Sequence, residues 1–296
     1  MKFTVPRELD GITVKSFLRG TCRISARLHT HLKHIENGIT VDGKLIIATD
    51  RLKAGDTVVL LVPDEEMVAP VQMPIDILFE DENIIVLNKK AGMTVHPVHG
   101  HLDDTLANAV SAYFASKGEN CAFRPINRID RDTSGIVLAA KNSFCAAQLQ
   151  KSAEKVYYAV CQGELSGCGT IDQPIRVKEG HGIQREVGEG GERSVTHWKA
   201  LCCKDGLTLL ECRLETGRTH QIRVHFSSYM KMPLAGDDMY GGSRELISRQ
   251  ALHCGKMSFV HPLTNESVDI ICDIPDDMFS LPPCREYFVH QGNKYS

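Results

Sequence analysis

Residues 127–135, Asn-Arg-Ile-Asp-Arg-Asp-Thr-Ser-Gly, set Arg128, Asp130, Arg131 and Asp132 close together and run directly into the apolar stretch 136–140. A turn before a strand accounts for part of this, because Asp and Ser bond their own backbone and Gly supplies a positive φ. The chemical reading is that Asp130 is a reactive carboxylate at the mouth of a sheet, partnered by a buried guanidinium from elsewhere in the chain. A retaining hydrolase of nucleosides or glycosides would want a second carboxylate as acid, and Asp132 is the one near in sequence. A second cluster, His96, His99 and His101 with Asp103 or Asp104, has the look of metal ligands. Ligating histidines usually sit on helices or strands with outer partners, so no metal is expected here.

The elements that position these residues belong to a chain of 296 residues, long enough for one large domain and a small module. With 42% hydrophobic and 24% charged residues it reads as an ordinary soluble protein. The longest apolar runs are short, as in "TVVLLV", and the N-terminus lacks the apolar core of a signal peptide, so no membrane span and a cytoplasmic location are expected. The 11 cysteines are scattered with no C-x-x-C pair, which points to reduced thiols and excludes a disulfide framework. A net charge of −3 argues against coating nucleic acid by charge alone. Residues 15–53 are nevertheless locally basic. The stretch "PDEEMVAPVQMP" has three prolines and no periodicity, which places a linker at 66–73 between a module at 1–65 and a large domain at 74–290.

In the module, Val14, Phe17, Leu18, Ile24, Leu28, Leu32 and Ile35 recur at helical spacing around a break near Gly20. "ITVDGKLI" predicts a hairpin, and "LKAGDTVVLLV" a second one around Gly-Asp. The run 23–60 resembles the ribosomal-protein S4-like RNA-binding domain, in which Ser-x-Arg opens a basic helix and Gly-Asp-x-Val closes the fold. Ser25, Arg27, Gly38, Val41, Gly43, Gly55, Asp56 and Val58 occupy those places. The resemblance implies RNA docking through Arg23, Ser25, Arg27 and Lys33.

The large domain reads as α+β, a strand-rich mixed or antiparallel sheet with a few helices. Strands fall in "IDILFEDENIIVLNKKAG", "GIVLAAKN", "KVYYAVCQG", "SVTHWKALCC" and "LTLLECRLE". Helices fall in "DDTLANAVSAYFASKG", starting on acidic cap residues, then in "SFCAAQLQKSAEK" and "GRTHQIRVHFSSYM". With no repeated βαβ alternation, a doubly wound parallel sheet is not expected.

Five stretches, "GMTVHPVHG", "NRIDRDTSG", "KVYYAVCQG", "TGRTHQIRVHFSSYMKMPLAGDDMYGG" and "RQALHCGKMSFVHP", stand in the order and spacing of the RluA-type pseudouridine synthases. The resemblance covers nearly all of 75–276, and an S4-like module is a usual companion. It implies isomerisation of uridine in RNA, with cleavage of the glycosidic bond and rejoining of the ribose to carbon 5 of the same uracil. Asp130 matches the essential carboxylate, which can stabilise the sugar cation, attack C1′ or take the 2′ proton. Arg223 matches its cationic partner, and Tyr157 the tyrosine that stacks on the uracil and helps move its C5 proton. Arg128 matches the arginine that fills the space left by the extruded nucleotide. Thr133, Arg218, His220 and Gln221 fall at substrate-binding places. No cofactor is implied, because the same base leaves and returns. The expected partner is RNA, ribosomal RNA first and transfer RNA second, with no DNA, no membrane and a monomeric chain. Two departures bear on substrate choice: Asn127 stands where the family writes His, with altered contacts to flanking RNA expected, and Lys90 where it writes Pro.

Overall fold

A computed structural model describes residues 2–24, 26–61 and 68–290, apart from the side chains of Arg27 and His31. The chain divides into two compact units, Met1–Glu66 with Asn142–Phe144, and Met67–Lys141 with Cys145–Ser296.

In the first unit, β1 (Lys2–Thr4), β2 (Ile39–Val41), β3 (Lys44–Leu45) and β4 (Thr57–Leu60) form an antiparallel sheet in the order β1-β4-β2-β3. Helix α1 (Val14–Ser16) starts where the Thr13 hydroxyl accepts from Ser16 N at 3.3 Å, and widens into turns over Phe17–Thr21 before α2 (Ala26–Leu32). Val14, Phe17, Leu18, Ile24 and Leu32 are all buried, as their spacing predicts. Lys15, Arg19, Arg23 and Lys33 are exposed. The Asp42-Gly43 turn has φ of 48° and 79°, the pair of positive values that a two-residue hairpin demands. The expected second hairpin does not form. Residues 52–53 before the Gly55-Asp56 turn are not in a strand, and β4 pairs with β1 and β2 instead.

The second unit is α+β. Its strands are β5 (Ile77–Glu80), β6 (Ile84–Lys89), β7 (Arg124–Pro125), β8 (Ser134–Ala140), β9 (Glu154–Gln162), β10 (Cys168–Asp172), β11 (Ile175–Val177), β12 (Arg185–Val187), β13 (Val195–Lys204), β14 (Leu207–Leu214), β15 (Leu252–Val260) and β16 (Ser267–Ile271). Ten of them make one mixed sheet along β10-β13-β14-β9-β15-β8-β6-β5, with β7 on β8 and β16 on β15, while β11 and β12 form a separate hairpin. Every pairing in the large sheet is antiparallel except β15 with β8. Helices α3 (Leu106–Ser116) and α4 (Ser143–Ser152) fall where the sequence places them, and α5 (Gln221–Val224) covers the third stretch, widening over His225–Tyr229. The cap of α3 is Thr105, not the acidic pair before it: its hydroxyl accepts from Asn108 N, and the Asn108 side chain returns the bond to Thr105 N. At the C-terminal end, α6 (Asp276–Phe279) and α7 (Pro282–His290) add Met278, Cys284 and Phe288 to a core with Tyr158, Val160 and Leu209 from β9 and β14. Side-chain alternation along β9 therefore sends Tyr158 to this core and leaves Tyr157 for the opposite face. Among the described residues no helix is long and apolar enough to cross a membrane.

Candidate active site

The site is built across three strands. Tyr157 on β9 stands opposite Cys254 on β15, and Cys254 stands opposite Gly135 on β8. Gly135 has φ 110°, and a Cβ there would lie 2.3 Å from the Cys254 carbonyl oxygen, so only glycine lets the parallel strands close. That closure fixes the turn leading into β8. Within the turn, Thr133 N donates to the Asp130 carbonyl at 3.1 Å. Arg131 O accepts from Gly92 N and from Lys89 Nζ, both at 2.9 Å. Asn127 is buried, donating to Ile136 O and accepting from Leu138 N, both at 2.9 Å. Its amide binds the backbone of β8 and helps hold the loop that carries Asp130.

Asp130 meets its cation. Arg223 Nη1 donates to Asp130 Oδ2 at 3.0 Å, across 93 positions of sequence. The same guanidinium makes a two-pronged pair with Asp237, Nε to Oδ2 at 2.7 Å and Nη2 to Oδ1 at 2.8 Å, and its carbon lies 5.0 Å from the centre of the Tyr240 ring. Burial works against the Arg223 charge, yet Asp237 and then Asp130 hold its pKa above the ordinary value. Asp130 Oδ1 has no hydrogen-bond donor among the described residues.

Asp130, Tyr157, Arg223, Arg128, Thr133, Arg218, His220 and Gln221 all line one open cleft of about 430 Å³. Arg128 is exposed and has no hydrogen bond or ion pair among the described residues. Arg218 pairs with Glu192 at 2.5 Å. Thr133 Oγ1 accepts from Gln250 Nε2 at 3.3 Å. Gln221 lines the cleft while its amide ties the 216–218 turn to β13, accepting from Arg218 N at 3.0 Å and donating to Val195 O at 2.9 Å. The RNA-docking candidates lie in the other unit: Arg23 and Lys33 are exposed there, and Ser25 and the Arg27 side chain fall outside the described residues.

Comparison with known proteins decides what such a cleft belongs to. Residues 83–228 match the family described as RNA pseudouridylate synthase. The chain is 38% identical over 279 residues to the RNA pseudouridine synthase YjbO of Bacillus subtilis, covering 91% of this chain and 98% of that one. The chain belongs to the RNA pseudouridylate synthase family. The synthase is also 40% identical over 229 residues to the ribosomal large subunit pseudouridine synthase D of Zymomonas mobilis, covering 71% of this chain and 72% of that one. Its fold matches the human RNA pseudouridylate synthase domain containing 4 with a TM-score of 0.57 at 22% identity, over 71% of this chain and 93% of that one. It is thus an isomerase that converts uridine to pseudouridine in RNA.

Hydrolysis with a second carboxylate finds no support in the geometry. Asp132 does not line the cleft, and Asp237 is buried with both oxygens on Arg223. Nor do the loop histidines of the synthase gather: His101 pairs with Asp104 at 2.6 Å, and among the described residues no three His, Cys, Asp or Glu side chains converge to hold an ion.

Reading the sequence by residue type missed four supports of the synthase cleft: Lys89, Asp237, Tyr240 and Arg249. Asp237 and Tyr240 lie in a Gly-rich acidic stretch whose only local signal is a turn. Arg249 pairs with Asp277 at 2.7 Å and donates to Asp132 O at 3.1 Å, bracing the Asp130 loop from behind. Lys89 is 1% exposed and donates to Lys90 O, Met93 O and Arg131 O at 3.0, 2.7 and 2.9 Å. Burial pushes its pKa down to about 7, while the Asp130 and Asp132 carboxylates pull the other way. Three acceptors match the three N–H bonds of an ammonium, so the charged form is the one this pocket fits. Lys89→Met is expected to lower stability by about 2–4 kcal/mol, because three carbonyls lose a buried donor. A urea unfolding midpoint within error of wild type would contradict this.

Proposed function

We propose that Asp130 carries the isomerisation, acting on C1′ or the 2′ position of a uridine extruded from RNA into the cleft. The observation that supports this most is the division of labour at the carboxylate, which lines the open cleft: Arg223 holds Oδ2, and Oδ1 has no donor among the described residues. In the reaction the N1–C1′ bond breaks, the C5–C1′ bond forms, the C5 proton leaves and N1 ends as N–H. An ionised carboxylate suits the positive charge that develops at the sugar. Arg223 acts as its cation, as one expects of a group that must stay ionised in a closed pocket. Tyr157 offers its ring to the uracil. Burial, reinforced by Cys254 and Asp130, holds its hydroxyl well above the ordinary tyrosine pKa, so at neutral pH it keeps its proton and is suited to stacking and donation. Arg128 takes the place of the extruded nucleotide, and Thr133, Arg218, His220 and Gln221 surround the target.

The target proposed is ribosomal RNA, by likeness to the large-subunit synthase of Zymomonas mobilis, with transfer RNA as the second choice. The chain is proposed to work as a monomer in the cytoplasm. Residues 1–65 are proposed to be an S4-like docking module whose basic face, Arg23, Ser25, Arg27 and Lys33, lies against structured RNA. Replacing Arg23, Arg27 and Lys33 together should weaken binding and reduce the log K against log salt slope by about 2–3, since each phosphate contact releases about one counterion. The single-turnover rate at saturating RNA should hold. An unchanged salt slope would mean that the face is only solvated. Tritium release from C5-labelled uridine, with pseudouridine mapping of total RNA from cells lacking and restored for this protein, tests the target: no site restored in ribosomal RNA would overturn that choice.

A further inference from the structure

Behind the cleft wall a backbone N–H, a tyrosine hydroxyl and an imidazole form a chain of hydrogen bonds. Arg185 N, on β12 of the separate hairpin, donates to the Tyr240 hydroxyl oxygen at 2.9 Å. The Tyr240 hydroxyl lies 2.8 Å from His220 Nδ1. The oxygen accepts from a backbone N–H, which leaves its own proton free for donation to His220 Nδ1. With that proton on the Tyr240–Nδ1 bond, a neutral imidazole carries its own proton on Nε2, which lies 3.8 Å from Asp130 Oδ2 at the cleft wall. That separation is too long for a hydrogen bond to Asp130, so the donor is left for something entering the cleft. The side chain is 9% exposed, and the backbone of His220 has φ 59° and ψ 19°, a left-handed conformation that a non-glycine residue keeps only where its surroundings hold it.

We propose that Tyr240 is a positioning residue that locks His220 in its Nε2–H tautomer, so that a neutral imidazole donates to an acceptor oxygen of the target uridine beside Asp130. Charge balance agrees. Burial lowers the His220 pKa, with Arg223 and Arg185 adding to that and Asp130 and Asp237 opposing it. A neutral donor orients the substrate without adding a second full cation next to the Asp130–Arg223 pair, and the Tyr240 hydroxyl links the β11–β12 hairpin to His220. The proposal rests on Asp130 as the reacting group.

Two measurements separate its failure from failure of that reading. In protein labelled with ¹⁵N at histidine, the His220 ring is expected to show an unprotonated Nδ1 and a protonated Nε2 at pH 7.5, and Tyr240→Phe is expected to mix the tautomers. Tyr240→Phe should lower kcat about tenfold with KM for RNA held within about twofold. As a second arm, His220→Gln places an amide donor near the Nε2 position and should keep most of the rate. His220→Asn suits the left-handed backbone but aims its amide at Tyr240, and should lose at least about tenfold. A wild-type Nδ1–H tautomer, an imidazolium, or Asn outperforming Gln would overturn the proposal whatever Asp130 does. Full turnover by Asp130→Asn with the expected tautomer intact would overturn the carboxylate reading instead.

Discussion

Asp130→Asn is expected to abolish turnover, with a loss of at least about 10³-fold in single-turnover rate, while RNA affinity changes little. The substitution keeps shape and hydrogen-bonding capacity and removes only the charge. Arg223 makes the experiment clean. Asp237 takes its Nε and Nη2, so the guanidinium keeps a buried anion when Asp130 loses its charge, and the fold should stay close to wild-type stability. A rate within about tenfold of wild type, read from tritium release, would remove Asp130 from the chemistry and send the search to another group in the cleft.

The second large effect belongs to the pair behind it. Asp237 is 1% exposed and Arg223 is 6% exposed at the side chain, so truncating one partner leaves the other charge buried. Asp237→Ala is expected to destabilise by about 3–5 kcal/mol, and Arg223→Met by a similar amount. Combined as Arg223→Met and Asp237→Ala, the cost should fall below the sum and approach that of either single change, because no uncompensated charge remains. Turnover should stay lost in the combined variant, since Asp130 then has no cation. Urea unfolding of the three proteins decides the point: additive stability losses would mean that the two side chains do not share one interaction. In rate, Arg223→Met and Asp130→Asn together should cost little more than Asp130→Asn alone, as residues acting as one unit do.

How far the sequence reached can be seen strand by strand. The turn residues and apolar alternation of 77–89, 134–140, 155–163 and 195–214 are local signals, because a side chain's preference for a pleated surface and a turn's need for Asp or Gly depend on near neighbours alone. For the same reason the hairpin at Asp42-Gly43 was legible. The Gly55-Asp56 turn misled: its local chemistry is equally hairpin-like, but β4 is claimed by β1 and β2, and strand neighbours are chosen by register over long separations.

At the cleft, residue types near Asp130 announced a carboxylate in want of a cation, and only motif resemblance named Arg223 as that cation. The sequence by itself determined which groups are present, where the turns fall and which strands carry them. Tertiary structure alone decided that the Asn127 amide binds β8, that Arg223 is shared between Asp130 and Asp237, that Lys89 carries three carbonyls, and that Tyr240 meets His220. These are contacts between segments up to 93 residues apart, such as Asp130 with Arg223. A charge or an amide carries no local mark of its distant partner. Only the closing of the sheet, with a glycine where two backbones must touch, brings the partners within reach of one another.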